Sequence, residues 1–326
     1  MDGPDKTRAF IRDLTAGDRV EAVFAVRERT RRTYRDKPGF WLDLVLVDRT
    51  GTVPAKLWDA GEEELDLTEP GTALDVTGSF EESDRWGASI KITGISLAAA
   101  GSYDEADLIP GPERPVEALE RDLRDLIATV QHPQLRELLD LIVGPESRSW
   151  ARFREAPAAK HYHQAYRHGL LDHTVSVAQA VSAAAACFPG IDRDVAVTGA
   201  ILHDIGKTRA YNDDPLAIDL TDAGRLQGEI PLGHAMVRDA MARIEGFDPG
   251  LAQSVLHIVL SHHGRLEYGS PVVPATREAV LVHAMDDLGG TLGSFDRVER
   301  ELADGEAWSG FDRGIGTAAF FRSRAA

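Results

Sequence analysis

Residues 201–207, Ile-Leu-His-Asp-Ile-Gly-Lys, set an imidazole beside a carboxylate among apolar residues, and Gly and Lys close the run. On a helix, His203 and Asp204 project about 100° apart on one turn. A carboxylate in apolar surroundings needs a cation, because removing its unpaired charge from water costs several kcal/mol or more. The pattern points to a metal ion; the alternative is a surface helix end in which the dipeptide is incidental. The other histidines favour the metal. Ten of the eleven lie between His161 and His283, and only His132 falls outside.

His173 stands near the start of an apolar helix that runs to Cys187 and stops at Pro189-Gly190, and Asp192 is placed to cap the helix leading to Asp204. His234 begins another helix. His262 and His263 close the helix Leu251–Ser261, with Gly264 at its C′ position. Asp286 interrupts the apolar run Leu281–Asp287, where a carboxylate needs a reason. A helical bundle can bring side chains from five such helices together in its core. His173, His203, Asp204 and Asp286 can then hold one ion, while His234 and His262 with one oxygen of Asp204 can hold a second. A carboxylate bridging two ions about 3.5–4 Å apart is the usual arrangement of dinuclear hydrolases. Imidazole and carboxylate without thiolate suit Mn²⁺, Fe²⁺, Zn²⁺ or Co²⁺. Lys207 is placed to stabilise charged phosphate oxygens, the alternative being a surface cation favoured by a helix C-terminus. His263 or His234 can protonate a departing oxygen. His161, His163, His168, His257 and His283 read as supporting or packing residues.

Composition bounds what such a site can serve. The chain has 326 residues, 36 Lys plus Arg against 53 Asp plus Glu, and a net charge of −17. That balance argues against indiscriminate nucleic-acid binding, so a polyanion site must be local or draw its charge from metal ions. The single cysteine, Cys187 in Ala-Ala-Ala-Ala-Cys-Phe, excludes an internal disulfide framework and a cysteine-rich zinc module, and reads as a small buried residue. No signal-peptide core and no stretch of about 18 apolar residues is present, so the expectation is a soluble cytoplasmic protein with no membrane partner. Homo-oligomerisation is not readable from the sequence.

The elements that must position this chemistry fall into two halves. From Arg19 to about Ala98, short β-branched and apolar runs are broken by turn signals. Phe40, Leu42, Leu44 and Leu46 alternate with Trp41, Asp43, Val45 and Val47, and Asp48-Arg49-Thr50-Gly51 turns the chain into a second strand, a hairpin with one face buried. Five short strands suggest a small closed barrel, an OB-fold, with an SH3-like barrel as the alternative. The loop before Phe40 carries Arg27, Arg29, Arg31, Arg32, Arg35 and Lys37 against Glu28 and Asp36. In an OB-fold it borders the oligonucleotide groove, and Tyr34, Trp41, Trp58 and Trp86 are candidate stacking platforms. The plainer reading is a solvated basic loop beside core aromatics. Ala98–Pro115 reads as a linker. Beyond it, Leu119, Leu123, Leu126, Ile127, Val130, Leu135, Leu138, Leu139 and Ile142 mark two amphipathic helices broken at His132-Pro133, and the remainder reads as wholly helical. The expected division is a barrel in 1–105, a linker to about 115 and an all-α bundle in 116–326.

The order His173, His203-Asp204, His234, His262-His263, Asp286 resembles the HD-domain phosphohydrolase superfamily, in the subset with extra histidines for a second ion. More narrowly, Ala156-Pro157-Ala158-Ala159-Lys160, His163-Gln164-Ala165-Tyr166, Gly169-Leu170-Leu171-Asp172-His173-Thr174 and the run from Ser261-His262-His263-Gly264 to Gly269-Ser270-Pro271 resemble the YhaM-type 3′→5′ exoribonucleases. Ala55-Lys56-Leu57-Trp58 is similar to a strand of that family's OB-fold. The likeness spans roughly Arg19 to Phe295; the His-Asp pair is weakly specific, the Ser-His-His-Gly to Ser-Pro run strongly so. Departures are His168-Gly169-Leu170 for the usual Gly-Gly-Leu, Gln164 for a second His, and a carboxylate missing from Asp286-Asp287-Leu288-Gly289-Gly290. The resemblance implies an N-terminal all-β OB-fold barrel followed by an all-α HD bundle. It further implies Mn²⁺, and hydrolysis of single-stranded RNA, or ssDNA, from the 3′ end to nucleoside 5′-monophosphates by a metal-activated hydroxide. Arg29, Arg31, Arg32, Arg35, Lys56 and Trp58 become the candidate strand contacts, and Asp204, Lys207 and His263 the candidate catalytic residues. Two other readings remain. One is an HD-type nucleotide or cyclic-nucleotide phosphohydrolase, although Tyr268-Gly269-Ser270-Pro271 stands where the cyclic-dinucleotide group has Gly-Tyr-Pro. The other is a non-catalytic single-strand-binding protein.

Overall fold

The computed structural model describes residues 10–83, 87–109, 111–160, 164–302 and 305–322; the stacking role expected of Trp86 and the packing roles of His161 and His163 lie outside the described residues. The chain divides into two compact units, Met1–Gly111 with Asp214–Ile218, and Pro112–Asp213 with Asp219–Ala326.

The first unit holds strands β1 (Arg19–Thr33), β2 (Phe40–Asp48) and β3 (Gly51–Ala60), a short helix α1 (Glu62–Leu67), and strands β4 (Ala73–Ser83) and β5 (Gly87–Leu97). They close into a barrel in the order β1-β2-β3-β5-β4, with β1 pairing β2 and β4 and a parallel β3–β5 contact. The period-2 pattern of β2 fixes which face is inside. Phe40, Leu42, Leu44 and Leu46 are buried, and the register Leu42↔Leu57, Leu44↔Ala55 and Leu46↔Val53 aligns them with the apolar residues of β3. The turn is locked by Asp48, a buried carboxylate that accepts from Ile11 N at 2.6 Å and from Thr50 N at 2.7 Å.

The second unit is built on helices α2 (Val116–Ala128), α3 (Pro133–Val143), α4 (Trp150–Glu155), α5 (Gly169–Ala185), α6 (Arg193–Leu202), α7 (Lys207–Ala210), α8 (Asp222–Gln227), α9 (Glu229–Met241), α10 (Pro249–Ser261) and α11 (Arg277–Glu301). Leu119, Leu123, Leu126 and Ile127 form the stripe that α2 buries, and Pro133 at the first helical position starts α3. In α6 every residue from Val195 to Leu202 is buried, so this helix lies in the core rather than on it. Asp192 caps it, its Oδ1 accepting from Val195 N at 3.1 Å. No helix among the described residues is long and apolar enough to cross a membrane.

Two expectations are corrected. The second half is not all-α: β6 (Trp308–Asp312) and β7 (Thr317–Phe320) form an antiparallel hairpin. Its turn is set by Asp312, whose Oδ1 accepts from Gly314 N and Ile315 N, and Ala319 and Phe321 pack on Val298 and Phe295. Aromatic residues flanking Asp-Arg-Gly-Ile-Gly are the sequence signal for this hairpin. Cys187 is exposed rather than buried, because α5 ends at Ala185 and leaves it in the following turn.

Candidate metal centre

Two histidines of the cluster are held by the same local device. His203 and His262 are the C-cap residues of α6 and α10, where backbone carbonyls run out of helical partners. His203 Nδ1 donates to Ala200 O at 2.7 Å, and His262 Nδ1 to Val259 O at 2.8 Å. A carbonyl only accepts, so each Nδ1 carries a proton and each Nε2 is turned toward the carboxylates, the orientation of a metal-ligating imidazole once Nε2 gives up its own proton. Both rings are almost wholly enclosed, as are His173 on α5 and Asp204 in the turn after α6, which is 2% exposed.

These groups converge. His173 Nε2 lies 3.2 Å from His203 Nε2, 3.0 Å from Asp286 Oδ1 and 3.5 Å from Asp204 Oδ2. His203 Nε2 lies 3.3 Å from Asp204 Oδ2 and 3.7 Å from Asp286 Oδ1. The other oxygen of Asp204, Oδ1, faces His262 Nε2 at 3.4 Å. Two sets of donor atoms within 4.8 Å of one another result, His173 with His203 and Asp204, and Asp204 with His262 and His263. Asp204 belongs to both. The residues fit a metal ion: Asp204 Oδ1 and His262 Nε2 are buried acceptors without a hydrogen-bond partner among the described residues. Leaving such groups unmet costs about 1–3 kcal/mol each, which a shared cation removes. An all-nitrogen and oxygen donor set is that of a borderline or hard divalent ion.

Lys207 is not a surface cation. It opens α7, is buried, and places Nζ 2.6 Å from Asp204 Oδ2. Burial alone would favour a neutral Asp204, but Lys207 and then His203 hold its carboxyl well below the usual range. Burial likewise opposes charge on His203, yet Asp204 and Asp286 outweigh it and push the imidazole up to about 10. Asp286 is also held well below the carboxylate range, hydrogen bonds from His173 and His203 overcoming its burial. In the metal-free site, protons on imidazole and Lys207 do what a divalent cation would do.

His263 joins the second set, its Nδ1 2.8 Å from Tyr268 O and its Nε2 3.6 Å from Glu229 Oε1; burial and the neighbouring His262 push it down. His234 is half-buried on α9 and stands outside both sets. Sequence reasoning passed over Glu229 and Tyr211. Burial raises the Tyr211 hydroxyl, which also feels the charges of Lys207, Glu229 and Asp204. The signal for Glu229 was in the run itself. A Cβ on Gly206 would fall 1.9 Å from Glu229 O and 2.5 Å from Gly233 N, so this glycine is what lets α9 begin against the His-Asp turn. The remaining histidines support backbone: His283 Nδ1 donates to His262 O at 2.7 Å, His257 Nε2 accepts from Ala275 N at 2.8 Å, and His168 Nδ1 lies 2.7 Å from Arg154 O.

On the barrel, Trp58 is 44% exposed and forms an aromatic surface with Tyr34, centroids 6.3 Å apart, and Trp41, 4.7 Å away. Arg29 pairs with Glu69 at 2.7 Å, Arg31 with Glu62 at 3.2 Å and Arg32 with Asp43 at 3.6 Å. Arg35 is exposed and Lys56 half-buried.

Residues 170–290, which span His173 to Asp286, match the HD domain family. Over most of its length the chain is similar to curated proteins named 3′-5′ exoribonuclease YhaM. It is 28% identical to that of Geobacillus sp. (strain WCH70) over 89% of this chain and 88% of the relative. It is 27% identical to that of Bacillus subtilis (strain 168) over 89% and 90%. Against Oceanobacillus iheyensis the identity is 30% over 298 residues, covering 90% of each chain. A solved structure, the second OB-fold domain of replication protein A from Methanococcus maripaludis, matches 30% of this chain and 100% of that one at 18% identity and a TM-score of 0.23, too slight a likeness to bear on the reading. With the histidine and aspartate cluster inside the HD match and an identity that runs across both units, the chain belongs to the family of the 3′-5′ exoribonuclease YhaM.

Proposed function

We propose that this protein is a metal-dependent 3′→5′ exoribonuclease of the cytoplasm that releases nucleoside 5′-monophosphates from single-stranded RNA, and from ssDNA where that is offered. The observation that carries the reading is the carboxylate of Asp204, whose two oxygens face different sets of imidazoles. His173, His203, Asp204 and Asp286 are assigned to one ion, and Asp204, His262 and His263 to a second. Divalent ions there, Mn²⁺ by family resemblance, would polarise the phosphate and lower the pKa of water from 15.7 toward about 7. Lys207, at 2.6 Å from Asp204, keeps that carboxylate ionised and offers a cation to the phosphate oxygens. His234, outside both ligand sets, is the candidate to protonate the departing 3′ oxygen.

The strand order β1-β2-β3-β5-β4 supports reading the barrel as an OB-fold, in a domain of residues 1–105 joined by a linker to a hydrolase domain from 116. Trp58 and its aromatic neighbours would stack bases. The exposed pairs of Arg31 and Arg32 are worth less than about 1 kcal/mol each, so phosphates can displace their carboxylates, whereas Arg29 is half-buried and also donates to Leu65 O. Arg35 and Lys56 would add charge.

The test is a time course of a 5′-labelled single-stranded RNA with Mn²⁺, resolved by length, beside the same strand ending in a 3′-phosphate. A ladder shrinking from the 3′ end, slowed by the blocked terminus, is expected. Hydrolysis confined to mononucleotides or cyclic dinucleotides would discard the polymer and keep the metal site.

A further inference from the structure

A groove of about 600 Å³ in the second unit is walled by α3, the turn after it, α7 and α9. None of its lining residues belongs to the metal centre. Arg148, Arg209 and Arg243 reach it from three separate elements, all exposed, and among the described residues none of the three has a side-chain hydrogen bond or ion pair. In a chain of net charge −17, where acidic residues outnumber basic ones, three such arginines around one groove are a local concentration of positive charge. Of the acidic residues on the rim, Asp239 is held by Arg238 at 3.0 Å, which leaves Asp140 and Glu146. Arg152 is already committed, its guanidinium donating to Tyr211 O and Asn212 O at 3.0 Å each and pairing with Asp213. Beneath the cations the floor is apolar: Leu141 and Met236 are half-buried against the core, and Ala240 is buried.

Guanidinium forks recognise phosphate bidentately. A concave site of roughly 300–1,000 Å³ with an apolar floor and a few convergent polar groups is the usual form of a small-molecule pocket. A channel for a polynucleotide strand interleaves aromatics for successive bases, and no aromatic side chain lines this groove. We propose that the groove is a second, non-catalytic site for a single nucleoside phosphate, its phosphates on Arg148, Arg209 and Arg243 and its ribose and base against Leu141 and Met236.

The full chain, treated with EDTA so that the metal centre cannot capture phosphate, is titrated calorimetrically with ADP, with inorganic phosphate and a ten-nucleotide single-stranded RNA as parallel arms. One ADP per chain is expected, and Arg148→Ser/Arg243→Ser should weaken it at least about tenfold. Both positions are exposed and unpaired, so the melting temperature and Mn²⁺-dependent hydrolysis of bis(p-nitrophenyl) phosphate should match wild type; Arg209→Ser provides the same readout independently. No ADP binding, unchanged affinity in both variants, or phosphate binding as tightly as ADP would overturn the proposal. Binding by the RNA alone would also overturn it, by making the groove a strand contact. Because the metal centre is silenced throughout, the result does not depend on which substrate that centre hydrolyses.

Discussion

The two oxygens of Asp204 face different groups, Oδ2 the ammonium of Lys207 and the imidazoles of His173 and His203, Oδ1 the imidazole of His262. Asp204→Asn keeps the shape and removes the negative charge that both donor sets share. Metal content measured by atomic emission should fall and RNA hydrolysis should drop by more than about 100-fold, since even an outer partner of a metal ligand is worth about 10- to 100-fold; a variant keeping a tenth of the activity is incompatible with bridging. The His203 imidazole gives a second prediction. Its folded pKa, raised from 6.5 to about 10, makes it a stabilising cation in the metal-free protein. That stability is fully present below 6.5 and is lost as pH rises toward about 10. The melting temperature of chelator-treated protein should therefore fall across this window, and that of the Mn²⁺-loaded protein should fall less, because the ion replaces the proton. Parallel curves would show that His203 is not a ligand.

At the scale of elements, the centre is made of helix ends. Histidines at the C-caps of α6 and α10 satisfy carbonyls that the helices leave open and, by doing so, aim Nε2 at the carboxylates. The third contribution is the approach of α9, which only a residue without Cβ at position 206 permits. Gly206→Ala should push α9 away from the His-Asp turn. A loss of at least about 1–3 kcal/mol is expected, the cost of overpacking, because backbone atoms must move. The drop in melting temperature should come with a fall in hydrolysis of small phosphodiesters; unchanged activity would mean that α9 adds nothing to the site. Gly264 plays a related part at the end of α10, with φ +76° and the His283 ring where its side chain would be.

For the whole molecule, an acidic chain that handles a polyanion has to separate the two tasks of holding the strand and cleaving it. Trp58→Ala tests the first. Base stacking is worth about 1–3 kcal/mol per base, so KM for a long single-stranded RNA should rise about 5- to 150-fold while hydrolysis of a small phosphodiester stays unchanged. Equal effects on both would mean that the barrel aromatics serve folding. Strand affinity should also fall steeply with salt, as phosphate contacts by Arg31, Arg32 and Arg35 require.

The sequence by itself determined the chemistry and the periodic elements, because both are written locally. The alternation of β2, the stripe of α2, the Asp192 cap and the adjacent His203-Asp204 pair each depend on neighbours within a few residues. Tertiary structure alone decided which side chains meet. Donor atoms of His262 and His263 gather within 4.8 Å of Asp204 while His234 falls outside that group, a proximity set by helix packing that no spacing in the sequence encodes. Lys207 turns inward because its α7 starts directly after the buried turn, and Glu229 approaches only because Gly206 lets it. Trp58 faces outward and Arg29, Arg31 and Arg32 find acidic partners through pairings across the barrel unit. Convergence of a site is a property of packing between elements far apart in the chain, and it is there that the histidines became a centre.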